Sequence, residues 1–316
     1  MIINWHAHIM PPSEQNSPTW QGKCPATLEK LLQINEQAGV DISVVSNPVH
    51  YIKGKPHDEA LRAIQEVDDF IAESVAKAPD HLVGFASSVP GGGPDFLKEL
   101  ERGVKELGLR GVIVNSSHNG HYPDEDEARG FFELVTALDI PVFVHAPAYS
   151  FGEECMRMYR LVSSVGRASD ECLSLARMIV RGIWEQFPSL KLVGAHLGGG
   201  ICEVIGRMNY AYELQEEAYF LGPYEPMLIK HEPLHYLKMM YMDTVSYHEP
   251  ALMCAVNTLG PAHMVLGADA PPLNPLLPRA VKLVQGLPID EDAKEGILWR
   301  NAATLLKLPI AARAKA

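Results

Sequence analysis

Thirteen histidines are scattered through this chain of 316 residues, and several stand where a short apolar run ends. His6 and His8 close the run that opens MIINW, with one alanine between them. Residues two apart on a strand face the same way, so these imidazoles can share one ion. His145 follows PVFV, His196 follows KLVGA and precedes Leu197-Gly198-Gly199-Gly200, and Asp269 follows MVLGA. Taken singly, each is explained as well by a hydrogen-bonded core histidine or a helix-capping aspartate. Five ionisable groups at the same kind of position ask for a common purpose. Imidazoles with a carboxylate form the donor set that zinc, iron or manganese takes. A bound metal draws the pKa of water toward ~7, where a nearby imidazole also titrates, so the set suits proton transfer or attack by water.

Such groups converge only if the strands carrying them are neighbours. Eight short apolar runs read as buried strands: residues 1–5, 41–46, 82–86, 109–114, 141–144, 191–194, 239–243 and 264–267. Helical stripes separate them. Leu28, Leu31, Leu32, Asn35 and Ala38 give one that Gly39 closes. Leu61, Ile64, Val67, Ile71 and Val75 give another, stopped by Pro79. Pro94 opens a third that Gly108 closes, and Ser169 is placed to cap a segment running to Pro188. Eight strand–helix alternations predict an α/β fold, a TIM-like (β/α)8 barrel in one domain over residues 1–316, with the ionisable groups at the C-terminal face where barrel enzymes build their sites. A doubly wound open sheet would carry a GxGxxG turn after its first strand, and none is present.

Composition narrows the partners. The chain is 47% hydrophobic and 21% charged, with 27 basic against 39 acidic residues and a net charge of −12. Without a Lys/Arg run, nothing favours nucleic acid or an anionic membrane, and no apolar stretch reaches the roughly 18 residues of a span. The start MIINWHAHIM has no secretory pattern. Cys24, Cys155, Cys172, Cys202 and Cys254 form no CxxC pair and read as reduced thiols of a cytoplasmic protein.

These residues resemble the amidohydrolase superfamily, and the finer text its amidohydrolase-related branch, which includes the aminocarboxymuconate semialdehyde and aromatic acid decarboxylases. The resemblance is carried by HAHIMPP from His6, VVSNPV (44–49), KELGLRGVIV (105–114), PVFVHAP (141–147), WEQFPSLKLVGAHLGGG (184–200), LGADAPP (266–272) and RNAATLL (300–306). It implies a barrel of the metal-dependent hydrolase type, with His6, His8, His145 and Asp269 as metal ligands. It implies that His196 is the catalytic histidine, moving a proton near a metal-bound water, with Asp269 sharing in the catalysis. Many relatives bridge two metals with a carboxylated lysine on the fourth strand. Here that strand ends in Asn115 and Ser116, so one divalent ion is expected. The nitrogen-rich set leans toward zinc, and manganese also fits.

Arg207 lies eleven residues after His196, at the spacing of an arginine that in the decarboxylases reaches the substrate carboxylate of a neighbouring subunit. A homodimer or higher homo-oligomer follows if that role transfers; otherwise Arg207 is a surface residue pairing with Glu203. Asp243, Thr244, Tyr247 and His248 end the seventh strand, where they either line the pocket or cap the next helix. The stretch from Ile9 to Ala26 lacks the second substrate-binding arginine of the aminocarboxymuconate enzymes, which argues for a different acid; His50, Tyr51 and Lys53 are candidate replacements. The favoured reading is a metal-dependent, non-oxidative decarboxylase of a small unsaturated or aromatic carboxylic acid. The alternatives are a hydrolase or hydratase of an amide, lactone or related bond at the same mononuclear site, and a barrel that binds without catalysing.

Overall fold

A computed structural model describes residues 1–16, 21–148, 152–214, 225–271 and 273–309. Among the described residues, nine parallel strand segments follow one another: β1 (Ile3–His8), β2 (Ile42–Ser46), β3 (Leu82–Gly84), β4 (Ala86–Ser87), β5 (Val112–Asn115), β6 (Val142–His145), β7 (Leu192–Gly194), β8 (Tyr241–Asp243) and β9 (Met264–Val265). The eight expected runs become nine because the third breaks at Phe85. Its first half bonds to β2 and its second to β5, through Phe85 N–H to Val45 O (3.0 Å) and Ala86 N–H to Gly111 O (2.9 Å). The ring closes at the other seam, where Trp5 N–H donates to Leu266 O (2.7 Å) and His8 N–H to Ala270 O (3.1 Å). The architecture is the TIM-like (β/α)8 barrel read from the alternation.

The principal helices lie outside: α1 (Leu28–Ala38), α2 (His57–Lys77), α3 (Pro94–Lys105), α4 (Arg129–Leu138), α5 (Arg167–Val180), α6 (Ile201–Glu213), α7 (Glu249–Leu259) and α8 (Leu277–Gln285). Gly39 ends α1 in the left-handed region (φ 69°), and Pro94 sits in the first turn of α3, as their positions demand. The reading of Ser169 is corrected. A π-turn over Val162–Gly166 runs straight into α5, so Ser169 lies inside the helix and its hydroxyl bonds back to Val165 O (3.0 Å). No helix among the described residues is long and apolar enough to cross a membrane.

The barrel interior is packed with Ile3, Trp5, Val44, Phe85, Ile113, Phe143 and Val193, all at least nine-tenths buried. Alternation should send Trp5 outward if His6 and His8 face in, yet Trp5 sits edge-on against Phe85 (5.3 Å) and Phe143 (6.3 Å), and His6 against Phe143 (4.9 Å). The pairing explains it. Asn4 pairs Ser43 and Ala7 pairs Val45, so β1 carries one extra residue between them. This bulge lets two consecutive side chains point inward, Trp5 to the packed floor and His6 to the mouth. The Asn4 side chain accepts from His6 N–H (3.2 Å), which the bulge would otherwise strand. The short closing helix α9 (Asn301–Leu305) sets Ala302, Leu305 and neighbouring Leu306 in the same cluster as Ile3 and Ile42, plugging the end opposite the site.

Candidate metal centre

Each of the five singled-out residues arrives from a strand end. His6 and His8 come from β1, His145 ends β6, His196 begins the turn after β7 and Asp269 follows β9. Single donor atoms of His6, His145, His196 and Asp269 lie within 4.8 Å of one another. His8 adjoins them, its Nε2 2.9 Å from His6 Nε2 and 3.3 Å from Asp269 Oδ1.

The outer ends of the rings fix their tautomers. His6 Nδ1 faces Asp243 Oδ2 (2.5 Å), His8 Nδ1 faces Ser46 O (3.3 Å) and His145 Nδ1 faces Ala146 O (2.8 Å). An oxygen acceptor at Nδ1 places the proton there and leaves Nε2 as a lone pair. The Nε2 lone pairs of His6 and His8 therefore face each other at hydrogen-bond distance with no proton between them. His145 Nε2 is buried without a hydrogen-bond partner among the described residues. Converging lone pairs beside a carboxylate repel unless a cation joins them, so this donor set fits a divalent metal.

Protonation agrees. Burial lowers the pKa of His8 and, reinforced by the neighbouring histidines, takes His145 well below the ordinary histidine range. Burial works against the Asp269 carboxylate, but His196 and His8 outweigh it and hold its pKa well below the usual carboxylate range. Two neutral imidazoles and an ionised carboxylate are the forms that bind metal.

His196 differs from the other rings. Its Nδ1 is 2.8 Å from Glu171 Oε1, on α5, and its Nε2 is 3.7 Å from Asp269 Oδ2. Burial opposes its protonation, but Glu171 and Asp269 together raise its pKa well above the ordinary value. The His196 and Asp269 side chains are 19% and 13% exposed, whereas His6 is fully enclosed and His8 is 5% exposed. The ring suited to carry a proton is thus also the one the mouth leaves open.

The backbone is bent to make this arrangement. His196 (φ 50°), Leu197 (φ 56°) and Asp269 (φ 48°) are all left-handed, at a cost of roughly 1–2 kcal/mol each for residues with a Cβ. The glycines after Leu197 relieve the rest of the turn: a Cβ on Gly199 would lie 1.9 Å from Ala168 O. Gly267 lets two strands close in, since a Cβ there would meet those of His6 and Asp243 at 3.0 Å.

Other singled-out residues land elsewhere. Arg207 is exposed on α6 and, among the described residues, does not pair with Glu203. Tyr51 packs into the core beside Asp68 rather than into the mouth, and Lys53 is exposed. The side chain of His50 lies outside the described residues. Asp243 neither lines a pocket nor caps a helix through its role here; it is fully buried and holds His6. Glu171 was missed, because a glutamate within an amphipathic helix gives no sign in the sequence that it faces inward.

Comparison with known proteins agrees with this geometry. The profile of the amidohydrolase family matches residues 3–308. A 2-amino-3-carboxymuconate-6-semialdehyde decarboxylase of Dictyostelium discoideum is 32% identical over 273 residues, covering 85% of this chain and 73% of that protein. A gamma-resorcylate decarboxylase of Polaromonas sp. is 24% identical over 309 residues, covering 89% and 87%. Among solved structures, 5-carboxyvanillate decarboxylase from Sphingomonas paucimobilis superposes with a TM-score of 0.85 at 22% identity, covering 97% and 98% of the two chains. A dihydroxybenzoic acid decarboxylase from Polaromonas sp., with bound manganese and the inhibitor 2-nitroresorcinol, gives 0.82 at 21% identity and 97% of both. The chain belongs to the amidohydrolase family.

Proposed function

We propose that residues 1–316 form one catalytic domain, a metal-dependent non-oxidative decarboxylase of a small unsaturated or aromatic carboxylic acid. The observation that carries this reading is the pairing of two devices at one mouth. A set of converging lone pairs suits one divalent ion, and beside it stands a separate histidine, backed by its own buried carboxylate. In this reading His6, His8, His145 and Asp269 hold the metal, and His196 handles the proton. Zinc suits the nitrogen-rich set; manganese, bound in several structures of relatives, also fits.

When bound, the cation supplies positive charge that draws the substrate through its carboxylate or an adjacent oxygen. His196 then delivers a proton from Nε2 to the carbon bearing the carboxylate. The unsaturated system takes up the positive charge that results. Cleavage of the C–C bond returns its electron pair to that system and releases CO2, so no redox partner is required. Glu171 faces the other nitrogen and stabilises the imidazolium from which the proton leaves.

Arg207 supports a homodimer. It is exposed between Val204 (37% exposed) and Tyr210 (52% exposed), an arginine framed by apolar surface of the kind that favours a protein interface. There it would meet the substrate carboxylate in the neighbouring subunit. A reduced, cytoplasmic setting is consistent with five free cysteines.

The test is CO2 release from aromatic and unsaturated acids by purified protein with one equivalent of zinc or manganese. His196→Ala should abolish release while retaining the metal. Products that keep the carboxyl carbon and gain an oxygen from labelled water would replace this reading with hydrolysis or hydration.

A further inference from the structure

The two oxygens of Asp269 face different neighbours. Oδ1 lies 3.3 Å from His8 Nε2 and 3.5 Å from His6 Nε2, while Oδ2 lies 3.7 Å from His196 Nε2. Which oxygen faces which ring depends on a backbone torsion held at φ 48°, in a region that residues with a Cβ avoid. Relaxing toward ordinary negative φ would swing the carboxylate out of this arrangement, so something must hold the torsion.

The peptide plane that sets this φ is the one joining Ala268 to Asp269, and its carbonyl accepts a 2.7 Å hydrogen bond from the Tyr247 hydroxyl. One residue earlier, Gly267 N–H donates to Thr244 Oγ1 (3.1 Å), and that hydroxyl donates to Gly267 O (3.3 Å). The loop after β8 thus grips both peptides before Asp269. Tyr247 is itself left-handed (φ 57°), and Arg279 Nη2 reaches its carbonyl (3.4 Å).

We propose that Tyr247 is a positioning residue whose hydroxyl, bonded to the Ala268 carbonyl, orients the Asp269 carboxylate between the metal and His196. This rests on the metal-centre reading above. Because the hydroxyl donates to a backbone carbonyl, its proton is committed there, and its effect on the substrate is indirect.

The test titrates metal-free protein with Mn2+ against a competing chelator and needs no substrate. Tyr247→Phe removes one oxygen and should weaken Mn2+ binding about tenfold, the lower end of what losing an outer support costs a metal site. Tyr236→Phe is the control. That hydroxyl accepts from the N–H groups of Lys230 and His231 (3.0 Å each), contacts that do not involve the metal residues, and its loss should lower the melting temperature without moving Mn2+ affinity. Thr244→Val should weaken Mn2+ binding in the same direction as Tyr247→Phe. Mn2+ affinity within twofold of wild type in Tyr247→Phe overturns the proposal, as does equal weakening in Tyr236→Phe. Wild-type protein that binds neither Mn2+ nor Zn2+ overturns the metal-centre reading itself.

Discussion

Replacing Glu171 with glutamine keeps the shape and, above the pKa of about 7 to which burial pushes this carboxyl against the opposing pull of His196, removes a charge. Glu171 is 1% exposed, and the bond from His196 Nδ1 to its Oε1 is 2.8 Å. A hydrogen bond between a donor and a buried ionised group contributes about 1.5–3 kcal/mol, against about 1 kcal/mol for a neutral pair. The bond holds His196 as the imidazolium from which the proton is given, so losing that difference lowers the share of enzyme that carries the proton. At about 1.36 kcal/mol per decade, a loss of about 0.5–2 kcal/mol should lower kcat by about two- to thirtyfold at a pH above the His196 pKa of the variant. KM and the metal-to-protein ratio should stay close to wild type, because Glu171 is in contact with neither substrate nor ligand set in this reading. The pH profile supplies a second readout. A general acid works while protonated, so activity falls as pH rises through the pKa of His196. Glu171 helps hold that pKa well above the ordinary value, so Glu171→Gln should shift the alkaline limb to lower pH. Progress curves across pH, with metal analysis of the same samples, measure both. A kcat within twofold of wild type and an unmoved limb would refute the assignment.

Two further expectations follow from buried carboxylates elsewhere. Asp243→Asn sets an amide N–H against His6 Nδ1–H and pushes that ring toward the tautomer with its proton on Nε2; Mn2+ or Zn2+ affinity should drop about 10- to 100-fold in a chelator-competition titration. Asp68 is wholly buried, and burial raises its pKa well above the usual carboxylate range, opposed by its bond from Ser87 N–H (2.8 Å). Its raised folded-state pKa means the native protein keeps the proton while the unfolded chain releases it. Stability therefore falls as pH rises from the ordinary carboxylate pKa toward the raised one. Asp68→Asn should gain stability relative to wild type between pH 4 and pH 8 urea melts, about pH 4 being where an unfolded aspartate titrates; a difference independent of pH would contradict it.

The fold and the ligand candidates were legible because both follow from position. Apolar runs such as PVFV and KLVG mark strands, and a polar residue at the end of each marks the mouth. What escaped is whatever depends on register or on a helix face. The inward turn of Trp5 needs a bulge that shows only in the pairing of Asn4 and Ala7 with Ser43 and Val45. Ser169 has a capping residue type, but the π-turn ahead of it carries the helix past that point. Asp243 was seen as a strand-end carboxylate, yet its work, gripping the outer nitrogen of His6, emerges only when β8 comes across the barrel to β1.

The same dependence on a helix face joins His196 to the wall of the site. Asp170 and Glu171 are consecutive near the start of α5, both buried, and they face different elements. Asp170 accepts from the hydroxyls of Ser116 (2.5 Å), Ser117 (2.9 Å) and Tyr122 (2.9 Å), all in the segment after β5. Arg177, two turns on, stacks over the Tyr122 ring (4.7 Å) and bonds Asp124 (2.6 Å), so that segment is strapped along the helix. Glu171 reaches instead to the turn after β7. Consecutive helical positions lie about 100° apart around the axis and 1.5 Å along it, so one rigid element indexes two loops from non-adjacent strands against each other. A shift of α5 that moved His196 would drag the β5 segment with it. Tertiary packing, absent from any local pattern, is what brings α5 against both His196 and the segment after β5.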